Sequence, residues 1–115
     1  MFLAPLVVAA ALGATPAPST PLAQVIALHT FAVGADVAST EWAIAANPRA
    51  HEGNPLLRDR GLRLAVKAAE VGLLVAMDRS VERRYGRRTA KHFRAAVIGA
   101  HLLVAAWNIR QGARR

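Results

Sequence analysis

The sequence predicts an all-α protein: a small transmembrane helical bundle of three helices, preceded by a signal peptide or a fourth span. Three observations predict it. More than half of the residues are apolar, yet aromatics make up only 5%. Ala, Val and Leu dominate instead, which favours helices over strands. Three long apolar segments alternate with short stretches rich in Pro, Asn, Gly and Arg. Within each apolar segment the polar residues recur at helical spacing, so that they share one stripe. The 115 residues suffice for one small domain. The net charge is +8, and no Lys or Arg precedes Arg49. That asymmetry points to a membrane surface or a nucleic acid as partner. With no cysteine, the chain has no disulfide framework, zinc knuckle or thiol nucleophile.

Residues 2–14, FLAPLVVAAALGA, form a short apolar run, and the three prolines of TPAPSTP end it. The pattern reads as a secretory signal peptide with cleavage after Ala17. No basic residue follows Met1, so a retained membrane segment is the rival reading, and residues 1–20 stand outside the bundle. The first bundle helix is expected at 21–46, capped by Ser19 or Thr20 with Pro21 in its first turn. Asn47-Pro48 stops it. Its 26 residues would span ~39 Å, enough for a ~30 Å hydrocarbon core. The second is expected at 55–78, with Asn54 as N-cap and Pro55 at N1. A basic loop, 79–94, follows. The third helix is expected at 89–109, with 111–115 as a frayed basic tail.

The second and third helices have short uncharged cores. They become long enough to span if Arg63, Arg94 and Arg110 snorkel to the interfaces. A soluble bundle would instead show a polar stripe about half a helix wide. The stripes here are narrow, so membrane helices are expected. Placing loop 79–94 in the cytoplasm puts the Asn-Pro loop outside. A cleaved signal reverses this, and the orientation stays open.

The polar stripes define the candidate site. His29, Asp36, Thr40 and Asn47 share one stripe of the first helix; Glu41 lies on another face. Arg60, Arg63, Lys67 and Glu70 share one on the second, continuing to Met77. Arg94, His101 and Asn108, each seven apart, share one on the third. In lipid each stripe must face protein or water. The three are therefore expected to face one another, with Lys67 as the cation for Asp36 and with Glu70 near Lys67, Arg63 or His101. Ser39 is expected to bond back to its own helix. The first functional expectation is a structural or accessory membrane protein, a homo-oligomer or one with a membrane-protein partner, held by this polar network. Alternatives are a small transporter, channel subunit or proton-handling protein centred on Asp36 and Lys67, and a secreted helical binding module. No catalytic motif, metal-ligand spacing or cofactor fingerprint is found, so no enzyme activity, metal or cofactor is expected. The RRYGRR run carries the aromatic that would suit nucleic acid, but between two membrane helices it reads as a topology signal that attracts anionic lipid.

The order Asp36-Val-Ala-Ser39-Thr40, then Glu52-Gly-Asn54-Pro55, then Lys67, then Asn108 resembles small bacterial integral membrane proteins of unknown function that carry a D-x-x-S/T-T … E-x-N-P … K … N pattern. The resemblance spans 22–110 and implies a bacterial inner-membrane location. It singles out Asp36, Thr40, Glu52, Asn54, Pro55, Lys67 and Asn108. The loop residue Glu52 is expected to sit near a helix N-terminus and within reach of Asn108.

Overall fold

The structure, a computed structural model, describes residues 19–47 and 58–114. These form three α-helices and, among the described residues, no strand: α1 (Leu22–Ala46), α2 (Arg60–Tyr85) and α3 (Arg87–Ala113). The N-terminal segment up to residue 18 and the loop motif Glu52, Asn54 and Pro55 lie outside the described residues.

Helix α1 begins and ends close to the expected limits, but not with the expected cap. Pro21 is the N-cap residue, and no side chain caps this end. The Pro21 carbonyl takes the amides of Gln24 and Val25. The Thr20 hydroxyl is drawn instead to Glu82 on α2. At the other end Asn47 is extended at φ −130°, the conformation that the following proline demands.

Helix α2 differs at both ends. Arg58 and Asp59 are not helical, so the helix starts at Arg60 rather than Pro55. Asp59 supplies the cap: its carboxylate accepts the Leu62 amide at 2.9 Å. At its far end α2 does not stop at Asp78 but runs on to Tyr85. Asp78 looks like a helix terminator only if its charge needs water, and here that charge is met inside the bundle. The expected loop 79–94 is accordingly helical except at Gly86, whose φ of +92° turns the chain directly into α3. That backbone region is essentially open to glycine alone. Helix α3 extends through Gln111–Ala113, so the expected frayed tail is largely its last turn. The Asn47 amide fastens this turn by donating to the Gln111 and Arg114 carbonyls at 3.0 and 2.8 Å.

The helices run up, down and up. The start of α1 lies beside the end of α2 and the start of α3; the end of α1 lies beside the start of α2 and the end of α3. These two ends are called the Gly86 end and the Asn47 end. Helix α1 packs most extensively on α3. Near the Asn47 end the two approach so closely that a Cβ on Gly112 would lie 2.8 Å from the Ala43 Cα and 2.5 Å from the Trp42 ring.

The distribution of polarity is inverted relative to an ordinary water-soluble core. The most buried apolar residues are small or medium: Val25, Ala32, Val33, Ala43, Ala90 and Ala105. Buried beside them are Thr20, His29, Asp36, Ser39, Arg63, Asp78, Glu82 and Arg94. Leu64, Leu73, Met77, Leu102, Leu103 and Val104 meanwhile face outward.

Candidate functional site

The inward faces carry three polar layers, stacked along the bundle. They exist because most turns of α2 carry an ionisable residue at the inward position. Arg63, Lys67, Glu70, Asp78 and Glu82 are spaced three, four or eight apart, so they stay on one face as the helix winds. The expected continuation of this stripe to Met77 is corrected by the structure. Met77 is 43% exposed, whereas Asp78 is fully buried.

The layer at the Gly86 end is the most enclosed. The Arg94 guanidinium grips both Asp78 oxygens at 2.7 Å, through Nε and Nη2. His29 Nε2 lies 2.7 Å from Asp78 Oδ2. Since Arg94 holds Asp78 as a carboxylate, His29 donates through Nε2. Its Nδ1 is then left buried without a partner among the described residues, and the ring tilts against Phe93. Glu82 Oε1 accepts from the Thr20 amide and hydroxyl at 3.1 and 2.6 Å. Thr20 Oγ1 in turn accepts from Arg94 Nη1 at 3.1 Å. Arg79 reaches the Thr20 carbonyl. Two expectations change here. His29 serves Asp78 rather than the Asp36 group. Arg94 does not snorkel outward but closes a buried fork with a carboxylate, the geometry that suits guanidinium best.

The middle layer gathers most of the residues singled out by pattern. Lys67 Nζ donates to Asp36 Oδ2 at 2.8 Å and to Glu70 Oε2 at 3.1 Å. Glu70 Oε1 lies 2.8 Å from His101 Nε2. The Asn108 amide is within 2.9 Å of Thr40 Oγ1, 3.1 Å of Ser39 Oγ and 3.3 Å of Asp36 Oδ1. Ser39 also bonds back to the Asp36 carbonyl at 2.9 Å. Asn108 therefore serves α1 in the interior; Glu52, the loop partner expected for it, lies outside the described residues. His101 Nδ1 is 2.8 Å from the Val97 carbonyl, which can only accept, so Nδ1 carries a hydrogen. The Nε2–Glu70 contact then needs a proton of its own, held either on the ring or on the carboxyl.

At the Asn47 end Glu41 accepts from Arg63 through Nε at 2.9 Å and through Nη2. Arg60 approaches the same carboxylate at 3.5 Å. Arg63 is buried by this pair rather than directed to an interface.

Asp78, Glu82, Thr20 and the role of Glu41 are absent from the residues picked out by sequence. The signal for the first two is present in the sequence: 70, 78 and 82 are eight and four residues apart, on one helix face. Ending the helix at Asp78 hides it, because a terminal residue has no assigned face. Among the described residues no group of three or more metal-ligating side chains converges.

No family model, curated protein or solved structure matches this chain.

Proposed function

We propose that the chain is a small integral membrane protein whose polar layers lock three spanning helices into one register, a structural or accessory role. A single observation carries this reading: a belt free of exposed charge encircles the bundle. No charged side chain is exposed on α1, on α2 between Arg60 and Arg83, or on α3 between His92 and Arg110. At 1.5 Å per residue these gaps are about 35 Å on α2 and about 27 Å on α3, close to the ~30 Å hydrocarbon thickness. Exposed cations flank both sides of the belt: Arg83, Arg87, Arg88 and Lys91 at one end, Arg60 and Arg110 at the other. Trp42 and Trp107, both about half exposed, stand near the Asn47 edge of the belt, where amphipathic rings settle at an interface.

By length and composition only α1 of the described helices is apolar enough to cross a membrane. Within the belt the charges of α2 and α3 are paired: Arg63, Asp78, Glu82 and Arg94 are buried, and Lys67, Glu70 and Arg79 are half-buried in ion pairs. This arrangement also gives the polar layers their purpose. Lipid tails are as apolar as leucine, so interhelical hydrogen bonds take over the work of association. Alkaline carbonate extraction tests the reading. The full chain is expected in the membrane pellet, and release into the supernatant would favour a soluble helical module instead.

The proton shared between Glu70 and His101 favours a second reading, a proton-handling protein. Lys67 links that proton to Asp36, forming a hydrogen-bonded row across all three helices. Reconstituted vesicles loaded with a pH-sensitive dye test it. Proton flux that is lost in His101→Phe supports the reading, and a wild-type protein that passes no protons rejects it.

A further inference from the structure

The geometry points to a binding site for one anionic phospholipid in the groove between the starts of α1 and α3, an inference that rests on the membrane reading above. The groove is open and encloses about 280 Å³. Its α3 wall descends from Arg87 and Lys91 through Arg94 to Ala95 and Ile98; its α1 wall descends from Thr20 and Gln24 to Leu28. On α3 the lining residues recur at three- and four-residue helical steps, and on α1 Leu28 lies one turn beyond Gln24 with Thr20 just before the helix, so each wall is one continuous stripe. Because α1 and α3 run parallel, both walls change from polar to apolar in the same direction, away from the Gly86 end and into the charge-free belt. A phospholipid has the same order, a phosphate followed by an acyl chain.

Charge complementarity selects the occupant. The two carboxylates nearest the mouth are already engaged: Asp78 by Arg94 and His29, Glu82 by Thr20 and Arg94. Arg94 is spent in these contacts and forms the floor. Arg87 keeps only a 4.0 Å approach to Glu82. Lys91 is exposed and has no ion-pair or hydrogen-bond partner among the described residues. Two cations at interface level, above an apolar slot that opens sideways to the bilayer, match a phosphodiester headgroup with its chain laid along Leu28 and Ile98. A soluble phosphate would use the cations but leave the apolar slot empty.

The test is native mass spectrometry of the full chain, taken from carbonate-washed membranes into a nonionic detergent. It is titrated with phosphatidylglycerol, phosphatidylcholine or inorganic phosphate. The wild type is expected to retain one phosphatidylglycerol about tenfold or more better than phosphatidylcholine. Arg87→Gln with Lys91→Gln removes that preference. Ile98→Trp, which fills the slot without altering charge, weakens retention as well. Arg83→Gln with Arg88→Gln, at the same end but off the groove, leaves it within about twofold, because general surface attraction is not what holds the lipid. A membrane-retained protein without the preference overturns the lipid site and leaves the membrane reading standing. Equal loss in the off-groove variant overturns it in favour of a diffuse basic surface. Displacement by inorganic phosphate as effective as by lipid overturns the choice of occupant. Release of the protein by carbonate overturns both readings.

Discussion

Asp78 is the residue on which the interior depends most. It is fully buried, and it satisfies both an arginine fork and a histidine. Removing one partner of a buried pair is far more damaging than replacing both. Asp78→Ala is expected to cost about 3–5 kcal/mol in detergent unfolding followed by circular dichroism, because Arg94 is left uncompensated. The double replacement Asp78→Leu with Arg94→Met should cost less than Asp78→Ala alone; a larger loss would mean that the charges themselves hold the fold. In the middle layer, Asp36→Asn, Lys67→Met and their combination form a double-mutant cycle. A coupling near 1 kcal/mol is expected from the 2.8 Å contact, and strictly additive effects would show that the contact carries no energy. Asp36, Lys67, Glu70, His101 and Asn108 were legible in sequence because a charged or amide side chain in an apolar helix has few places to go. Asp78 was not, and Arg94, though on the stripe of His101 and Asn108, is expected from sequence to snorkel to an interface. Each stands where an apolar run meets a basic one, and composition alone cannot say whether such a residue faces outward or inward.

Helix limits follow from what satisfies each end. Asn47 before Pro48 ended α1 where the chain chemistry required. At the α2–α3 junction seven basic residues in 79–94 suggest a solvated loop, whereas the two helices leave five of them exposed and turn Arg94 inward. What breaks the helix is Gly86 alone, at φ +92°. Gly86→Ala should cost about 1–3 kcal/mol through backbone strain. A second glycine is constrained by packing rather than by φ. A methyl group on Gly112 would meet the Ala43 backbone at 2.8 Å, so Gly112→Ala should destabilise by about 1–3 kcal/mol through overpacking at the α1–α3 contact. Gly34 and Gly99 have open space around them, and the same change there should stay within about 1 kcal/mol of wild type. Equal melting temperatures for all three variants would remove the close approach of α1 and α3 from the account.

Across the bundle, the membrane reading makes a spatial prediction that the absence of native cysteine makes easy to measure. In intact membranes Leu73→Cys and Leu103→Cys, both outward-facing within the belt, should resist a charged maleimide. Arg88→Cys, beyond the belt, should react. Labelling of Leu103→Cys as fast as Arg88→Cys would place the belt in water. On the membrane reading, the belt matters more than mean apolarity for α2 and α3. Averaged along the chain, Arg63, Lys67, Glu70 and Asp78 lower the apolarity of α2; resolved around the helix, none of the four is fully exposed.

The all-α class, the count of three bundle helices and the existence of one polar stripe on each were settled by the order of residues, because helical periodicity is a local property of the backbone. Which stripe residues meet was decided only when the helices packed. Depth along each helix assigns Lys67 to Asp36, but the pairing of His29 with Asp78, and of Thr20 with Glu82, depends on α2 continuing past Asp78. That continuation is a tertiary outcome: an ionised carboxylate remains inside a helix bundle only when another helix brings its cation, and Arg94 on α3 does so.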